Sequence, residues 1–267
     1  MNYITCQIIT LLIVSLSYAD LYMCNFQKKD VAKLCNLDKE MESYKKALDT
    51  QNNYSPIPEL AIWNDPMYIY PNIHPYHKYI VDTVKEFSDI SSVCELGAGC
   101  GKIIKYLYAE NNQLDLTCIE QSDIHLQQIF QNFYFKKDII YPDLEVKATI
   151  LKGAAPFLSQ IKESSFDCVY TCTVMMHLPY IVAVQSAREL ARITSKYVLH
   201  IENKNTGPEW YNRAIVLSPG MSDINYVAID YKAIYESLNF KTIRYFEFSD
   251  PHSPATYIYY LGEKIKN

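Results

Sequence analysis

The stretch Val93-Cys-Glu-Leu-Gly-Ala-Gly-Cys-Gly101 constrains the fold more than any other part of the chain. Only 7 glycines occur in 267 residues, and three of them, Gly97, Gly99 and Gly101, fall within five positions. An apolar run from Ser91 to Leu96 leads in, and an apolar-periodic run from Lys102 to Leu107 leads away. That order predicts a strand, a glycine-rich turn and a helix. Glycine serves such a turn in two ways: it takes positive φ without a Cβ clash, and it lets a ligand approach bare backbone. Glu95 stands at the carboxyl end of the predicted strand, two residues before the first glycine.

The same alternation continues along the chain. Tyr76 to Phe87 predicts a helix, with Tyr76, Ile80, Val84 and Phe87 on one face. After the glycine turn come a helix from Lys102 to about Asn111 and a strand from Leu114 to Glu120 that closes on an acid. Asp123 is the expected N-cap of a helix from His125 to Phe135. Strands are expected at Glu145 to Leu151, Phe166 to Thr171 and Lys196 to Glu202, with helices at Pro179 to Ile193 and Ile229 to Leu238. Phe240 to Phe248 and Thr256 to Leu261 close the chain as a hairpin. Strands alternating with helices predict an α/β fold: a Rossmann-like, seven-stranded, mainly parallel sheet, helices on both faces, and a C-terminal antiparallel hairpin.

In open sheets of this kind ligands bind beyond the carboxyl ends of the strands, near the switch in strand order. That rule selects Glu95, Gly97, Gly99, Gly101, Glu120, Gly153, Ala154, Thr171, Cys172 and Glu202. Glu120 comes 23 residues after Gly97. A carboxylate there can accept two hydrogen bonds from vicinal ribose hydroxyls.

Glu95-Leu-Gly-Ala-Gly-Cys-Gly101 resembles the first motif of class I S-adenosylmethionine (SAM) methyltransferases, an acid followed by x-Gly-x-Gly-x-Gly. The nearest rival, the dinucleotide fingerprint G-x-G-x-x-G, has its last glycine where this chain has Lys102. The resemblance continues at Phe166-Asp-Cys-Val, where a short turn then reaches His177-Leu; Asp167 and His177 match the fourth-strand pattern of the family. It runs from about Val93 to Glu202, with weaker similarity from Tyr231 to Lys264. By resemblance, the cofactor is SAM. The glycine loop, with Glu95, Gly97, Ala98, Gly99 and Gly101, would meet its methionine portion, and Glu120 with Gln121 its ribose. Gly153, Ala154 and Thr171 complete the expected cofactor set. Many members place an acid after the third strand to hold the adenine amino group. This chain has Lys152-Gly-Ala-Ala there, so Ala154 offers no polar side chain.

The resemblance implies methyl transfer by in-line displacement to an oxygen or nitrogen of a small molecule. Such chemistry needs positioning, exclusion of water and sometimes a base, and it requires no metal. His177 is the candidate base, because an unperturbed imidazole titrates near neutrality. Glu202, His74 and Tyr76 are the expected substrate contacts. His200 lies inside a predicted strand and reads as a core histidine. Two other readings stay open: a non-catalytic SAM-fold binding module, to which Ala154 lends support, and a nicotinamide-dependent oxidoreductase.

A net charge of -5 offers no electrostatic footprint for nucleic acid. The Asn/Asp-Pro-Pro-Tyr sequence of amino-group DNA methyltransferases is absent too, with Thr171-Cys-Thr-Val in its place. The eight cysteines form no zinc pattern. Cys94, Cys118, Cys168 and Cys172 belong to core strands and are expected buried and free, as in a reducing compartment.

Three regions precede or make up the predicted domain structure. Residues 1–19 are a hydrophobic segment in which Ser17-Tyr18-Ala19 fits a signal-peptide cleavage site, although no Lys or Arg precedes it. Read instead as a retained anchor, its downstream lysines leave the main domain in the cytoplasm; a third reading is an apolar helix packed on the domain. Residues 20–75 are expected to form a helical extension and then a proline- and aromatic-rich lid. Residues 76–267 form the predicted methyltransferase domain. Because SAM is made in the cytosol, a cytoplasmic domain is expected, with membrane association through residues 4–19 or export as the alternatives. The stretch Trp210 to Asn225 is the expected substrate wall beyond the fifth strand.

Overall fold

A computed structural model describes residues 74–134, 144–178, 180–204, 229–249 and 256–266. The hydrophobic segment at 1–19, the extension and most of the lid, and the expected wall from Trp210 to Asn225 lie outside the described residues. Among the described residues no helix is long and apolar enough to cross a membrane.

The chain enters through α1 (His77–Glu86), whose Ile80, Val81 and Val84 are buried as the spacing requires. It continues through β1 (Ser92–Leu96), α2 (Lys102–Glu110), β2 (Asp115–Glu120), α3 (Asp123–Tyr134), β3 (Thr149–Lys152) and β4 (Phe166–Cys172). A 3₁₀ turn at Met175–His177 leads to α4 (Tyr180–Ile193), β5 (Thr194–Asn203), α5 (Tyr231–Ser237), β6 (Phe240–Ser249) and β7 (Thr256–Lys264).

The seven strands form one sheet in the order β3-β2-β1-β4-β5-β7-β6. Strands β1 to β5 pair in parallel, while β7 runs antiparallel to both β5 and β6. The order reverses between β1 and β4, so the glycine loop leaves the sheet at its switch point. Strand side chains alternate between two cores. Val93, Cys118 and Tyr170 pack with Ile80, Ile104 and Phe133 of α1, α2 and α3. Cys94, Ile119 and Val198 pack on the other face with Ala187 of α4 and Tyr235 of α5. Cys94, Cys118, Cys168 and Cys172 are buried free thiols, and Cys100 is a half-buried one.

Several expected boundaries move. The strand expected at Glu145 to Leu151 shortens to Thr149–Lys152, because the buried Val146 docks its N–H on Phe133 O of α3 rather than joining the sheet. Asp123 is the first residue of α3 and not its cap; Ser122 takes that place, its Oγ accepting the His125 N–H at 3.3 Å. The Asp123 carboxylate instead meets Lys152 Nζ at 2.7 Å. The fifth strand begins at Thr194, directly on the end of α4, where Thr194 Oγ1 donates to Leu190 O at 2.6 Å. The last helix is capped by Asp230, which accepts the Ala233 N–H at 3.0 Å.

Candidate functional site

All three loop glycines hold positive φ, +72° at Gly97, +54° at Gly99 and +75° at Gly101, but their surroundings differ. A Cβ on Gly97 would fall 2.5 Å from Val174 Cγ2, and one on Gly101 would fall 2.7 Å from Phe133 Cζ. Those two glycines are demanded by packing as well as by backbone conformation. Around Gly99 nothing lies within 4 Å of the same point. It is where the backbone is open to a ligand. The turn is stitched to β2 by Gly97 and Ala98, whose N–H groups donate to Ile119 O at 2.8 and 3.2 Å. Asn132 of α3 ties it from the other side, its Nδ2 donating to Cys100 O at 2.8 Å.

Two carboxylates flank this loop on the α1–α3 face. Glu95 is 3% exposed, and its Oε2 is buried without a hydrogen-bond partner. Burial pushes its carboxyl well above the usual carboxylate range and the Glu120 charge adds to this, while the nearby Tyr170 hydroxyl offsets part of it although no hydrogen bond joins them. Glu120 is 4% exposed and fully engaged with backbone. Its Oε2 accepts the Gly99 N–H at 2.8 Å, and its Oε1 accepts the N–H groups of Gln121 and Ser122, each at 2.8 Å. The Glu120 carbonyl in turn accepts the Gly153 N–H at 3.0 Å, so Gly153 and Ala154 follow directly beside it.

Thr171 and Glu202 sit on the opposite face, with α4 and α5. Glu202 is 1% exposed; its Oε1 accepts from Thr171 Oγ1 at 2.7 Å and from Val174 N–H at 3.1 Å, and its Oε2 from Met176 N–H at 3.2 Å. Burial raises its carboxyl to about 7 against the pull of these donors. The hydrogen bonds continue inward, from Thr171 Oγ1 to His200 Nδ1 and from His200 Nε2 to Tyr235 OH, both at 2.7 Å. Thus His200 is a satisfied core histidine, as expected, and burial lowers its imidazole to about 3. The backbone of His177 closes the 3₁₀ turn that Glu202 holds; its side chain lies outside the described residues.

His74 and Tyr76 reach the same carboxyl edge, since α1 runs back along the sheet before β1. Their rings stack at 4.9 Å, and Tyr76 stacks on Tyr257 of β7 at 5.0 Å. His77 packs edge-on against both His74 and Tyr76. Its Nδ1 is buried without a partner, and burial lowers its imidazole to about 3, with His74 and Lys102 adding to the effect. His77 and Tyr257 were not singled out from sequence. A histidine on a helix's buried face carries no periodic signal apart from core packing, and Tyr257 joins the edge only through strand register.

No protein-family profile matches the chain, and no curated protein matches its sequence. Its structure is similar to many solved ones. Magnesium protoporphyrin IX methyltransferase (ChlM) from Synechocystis, solved with bound S-adenosylhomocysteine (SAH), aligns with a TM-score of 0.54 at 16% identity over 71% of this chain and 82% of that one. A SAM-dependent methyltransferase from Methanosarcina mazei aligns at 0.54 and 15% identity, covering 73% of this chain and all of that one (100%). The chain has the class I SAM methyltransferase fold. A third structure of this fold, described as a sarcosine dimethylglycine methyltransferase from Galdieria sulphuraria, aligns at 0.53 with 11% identity, over 71% of this chain and 84% of that one. With the methyltransferase fold established, the glycine loop lies after its first strand at the switch point, and the hairpin of β6 and β7 closes the far edge.

Proposed function

We propose that the protein is a SAM-dependent methyltransferase that transfers a methyl group to an oxygen or nitrogen of a small-molecule acceptor. One observation carries the reading: an open glycine backbone at Gly99 lies in the loop that follows a buried carboxylate oxygen of Glu95 lacking any partner. An unpaired buried acceptor is costly, and a bound cationic group would satisfy it. The α-ammonium of SAM is such a group, and the space beside Gly99 lets it approach the backbone closely.

Bound there, SAM would supply a methyl carbon already activated by a sulfonium. The chain's own residues then have defined tasks. Glu95 would hold the amino-acid end, and Gly97, Ala98, Gly99 and Gly101 would bring backbone close to it. Glu120, with Gln121, would meet the ribose, although its oxygens already take three backbone donors. Gly153 and Ala154 would support the adenine by backbone and apolar contact, and Thr171 lines the neighbouring strand end. His74 and Tyr76 would border the acceptor and limit water. The methyl group that SAM supplies would pass to the acceptor by in-line displacement, and His177 would take the acceptor's proton.

Calorimetric titration of the full chain with SAM, and separately with NAD, tests the reading. Saturable SAM binding without NAD binding supports it. NAD binding in place of SAM overturns it in favour of hydride transfer. SAM binding that stays tight in His177→Ala, with turnover also intact, would remove His177 from the role of base.

A further inference from the structure

Glu202 stands among the candidate substrate contacts by its position at the end of β5. Its geometry gives it a different task. Both oxygens are turned away from solvent and onto the backbone of the turn after β4, where they take the N–H groups of Val174 and Met176. Val174 is also the residue whose side chain fills the space beside Gly97, which leaves no room for a Cβ there. One carboxylate therefore fixes the turn, and the turn fixes one wall of the glycine loop.

The donors behind Glu202 are arranged in one direction. Thr171 has a single hydroxyl proton, and it donates to Glu202 Oε1. Its oxygen must then accept from His200 Nδ1–H, which leaves His200 Nε2 unprotonated to accept from Tyr235 OH. The whole row is buried, so each member fixes the next. Among the described residues, the other titratable groups that sense the Glu202 charge are Cys172 of β4 and Tyr231 and Tyr235 of α5. Burial holds all three neutral, and Tyr260 of β7 packs against Tyr235 as a further neutral ring. Nothing in this set offsets a negative charge except hydrogen-bond donors.

We propose that Glu202 is a positioning residue: as an anion it clamps the Val174–Met176 turn against Gly97, and losing that charge loosens the glycine loop and weakens the ligand held there. Protonation adds an O–H to the carboxyl, uses up one acceptor position and removes the charge that both amides face. The burial that raises the carboxyl to about 7 puts this change near neutral pH. The ligand half of the inference rests on the SAM reading above; the clamp itself does not.

The test is amide hydrogen exchange on the full, ligand-free chain from about pH 5.5 to about pH 8.5, read as protection factors at Val174 and Met176. In the wild type, protection at both amides is expected to fall as pH drops through about 7. In Glu202→Gln it is expected to be flat with pH, near the level the wild type reaches in acid and below the wild type at about pH 8.5, because the amide nitrogen cannot accept. Flat wild-type protection, or wild-type protection in the folded variant, overturns the clamp. Should Glu202→Gln fail to fold, the wild-type profile decides alone. SAM titration across the same range should show affinity weakening about tenfold alongside the loss of protection. Affinity that stays constant while protection falls overturns the link to the ligand site. No SAM binding at any pH overturns the methyltransferase reading, and the exchange profile then decides the clamp by itself.

Discussion

The Glu120 carboxylate accepts the Gly99 amide at 2.8 Å, and this one contact joins the end of β2 to the open point of the glycine loop. Together with Gln121 and Ser122, it gives Glu120 three backbone donors in a buried setting. Glu120→Ala strands all three, at a cost of roughly 3 kcal/mol, since buried donors without partners are expensive. Glu120→Gln keeps one accepting oxygen and should cost less than half of that. Thermal unfolding of the two variants checks the order, and equal losses would mean that the backbone contacts matter little. Only Glu120→Gln, if it stays folded, is a fair probe of ribose recognition.

The three loop glycines should respond differently to the same methyl group. Gly99→Ala meets no atom within 4 Å, so its cost is confined to the left-handed backbone, about 1 kcal/mol. Gly101→Ala carries that cost and also drives a Cβ to 2.7 Å from Phe133 Cζ, which lies in the core beneath α3. Overpacking of this kind adds about 1–3 kcal/mol. Denaturant midpoints should therefore rank Gly99→Ala well above Gly101→Ala, whereas SAM affinity should drop for Gly99→Ala although its fold is intact. A Gly99→Ala variant with unchanged SAM affinity would separate the loop from the ligand.

Much of the architecture was legible because periodicity and punctuation agreed. Val93 to Gly101 announced strand, turn and helix, and each later strand end fell within a few residues of its expected place. The failures have local causes. Val146 is apolar and alternates like a strand residue, yet it is buried by α3 without entering the ladder. Asp123 and Ser122 both have capping side chains, and sequence alone did not say which oxygen would face the amides. The site was legible as a set of strand ends, because strand ends gather at one edge. Which way each side chain points was not, and so Glu202 read as a substrate contact while its oxygens turn to the backbone of a neighbouring turn. Tyr235 reaches His200 only once α5 is docked, a contact across 35 residues that no local pattern carries.

Asp167 should contribute stability at neutral pH and lose it in acid. It lies at the start of β4, far from the ligand edge, where burial disfavours its charge but is outweighed by the Ser91 hydroxyl and N–H, Lys196 and Ser195, which hold its carboxyl well below the usual range. A folded-state value below the unfolded one means that the stabilisation is present above about pH 4 and disappears as pH falls towards the folded value. Asp167→Asn should cost roughly 2 kcal/mol at pH 7, with the gap to wild type closing as pH falls below about 4. Urea unfolding of both proteins across that range checks it. A gap that persists unchanged into strong acid would assign the loss to shape rather than charge.

Tyr235→Phe should reveal whether the buried row behind Glu202 is a connected unit. The substitution keeps the ring that stacks on His200 and Tyr260 and meets Phe240 edge-on, and removes only the donor to His200 Nε2. An unprotonated ring nitrogen left buried without a donor costs about 1–3 kcal/mol, and the cavity left by one hydroxyl is too small to change the packing much. His200 cannot escape by charging, because burial already holds its imidazole near 3, far below neutral pH. It can instead flip tautomer, moving its proton to Nε2; Thr171 would then have to donate to Nδ1 and release Glu202. The heteronuclear NMR signature of the His200 ring nitrogens distinguishes the two states. Retention of the Nδ1–H tautomer with a loss of stability is expected if the Thr171 and Glu202 end anchors the row, whereas a switch to Nε2–H would show that Tyr235 sets its direction.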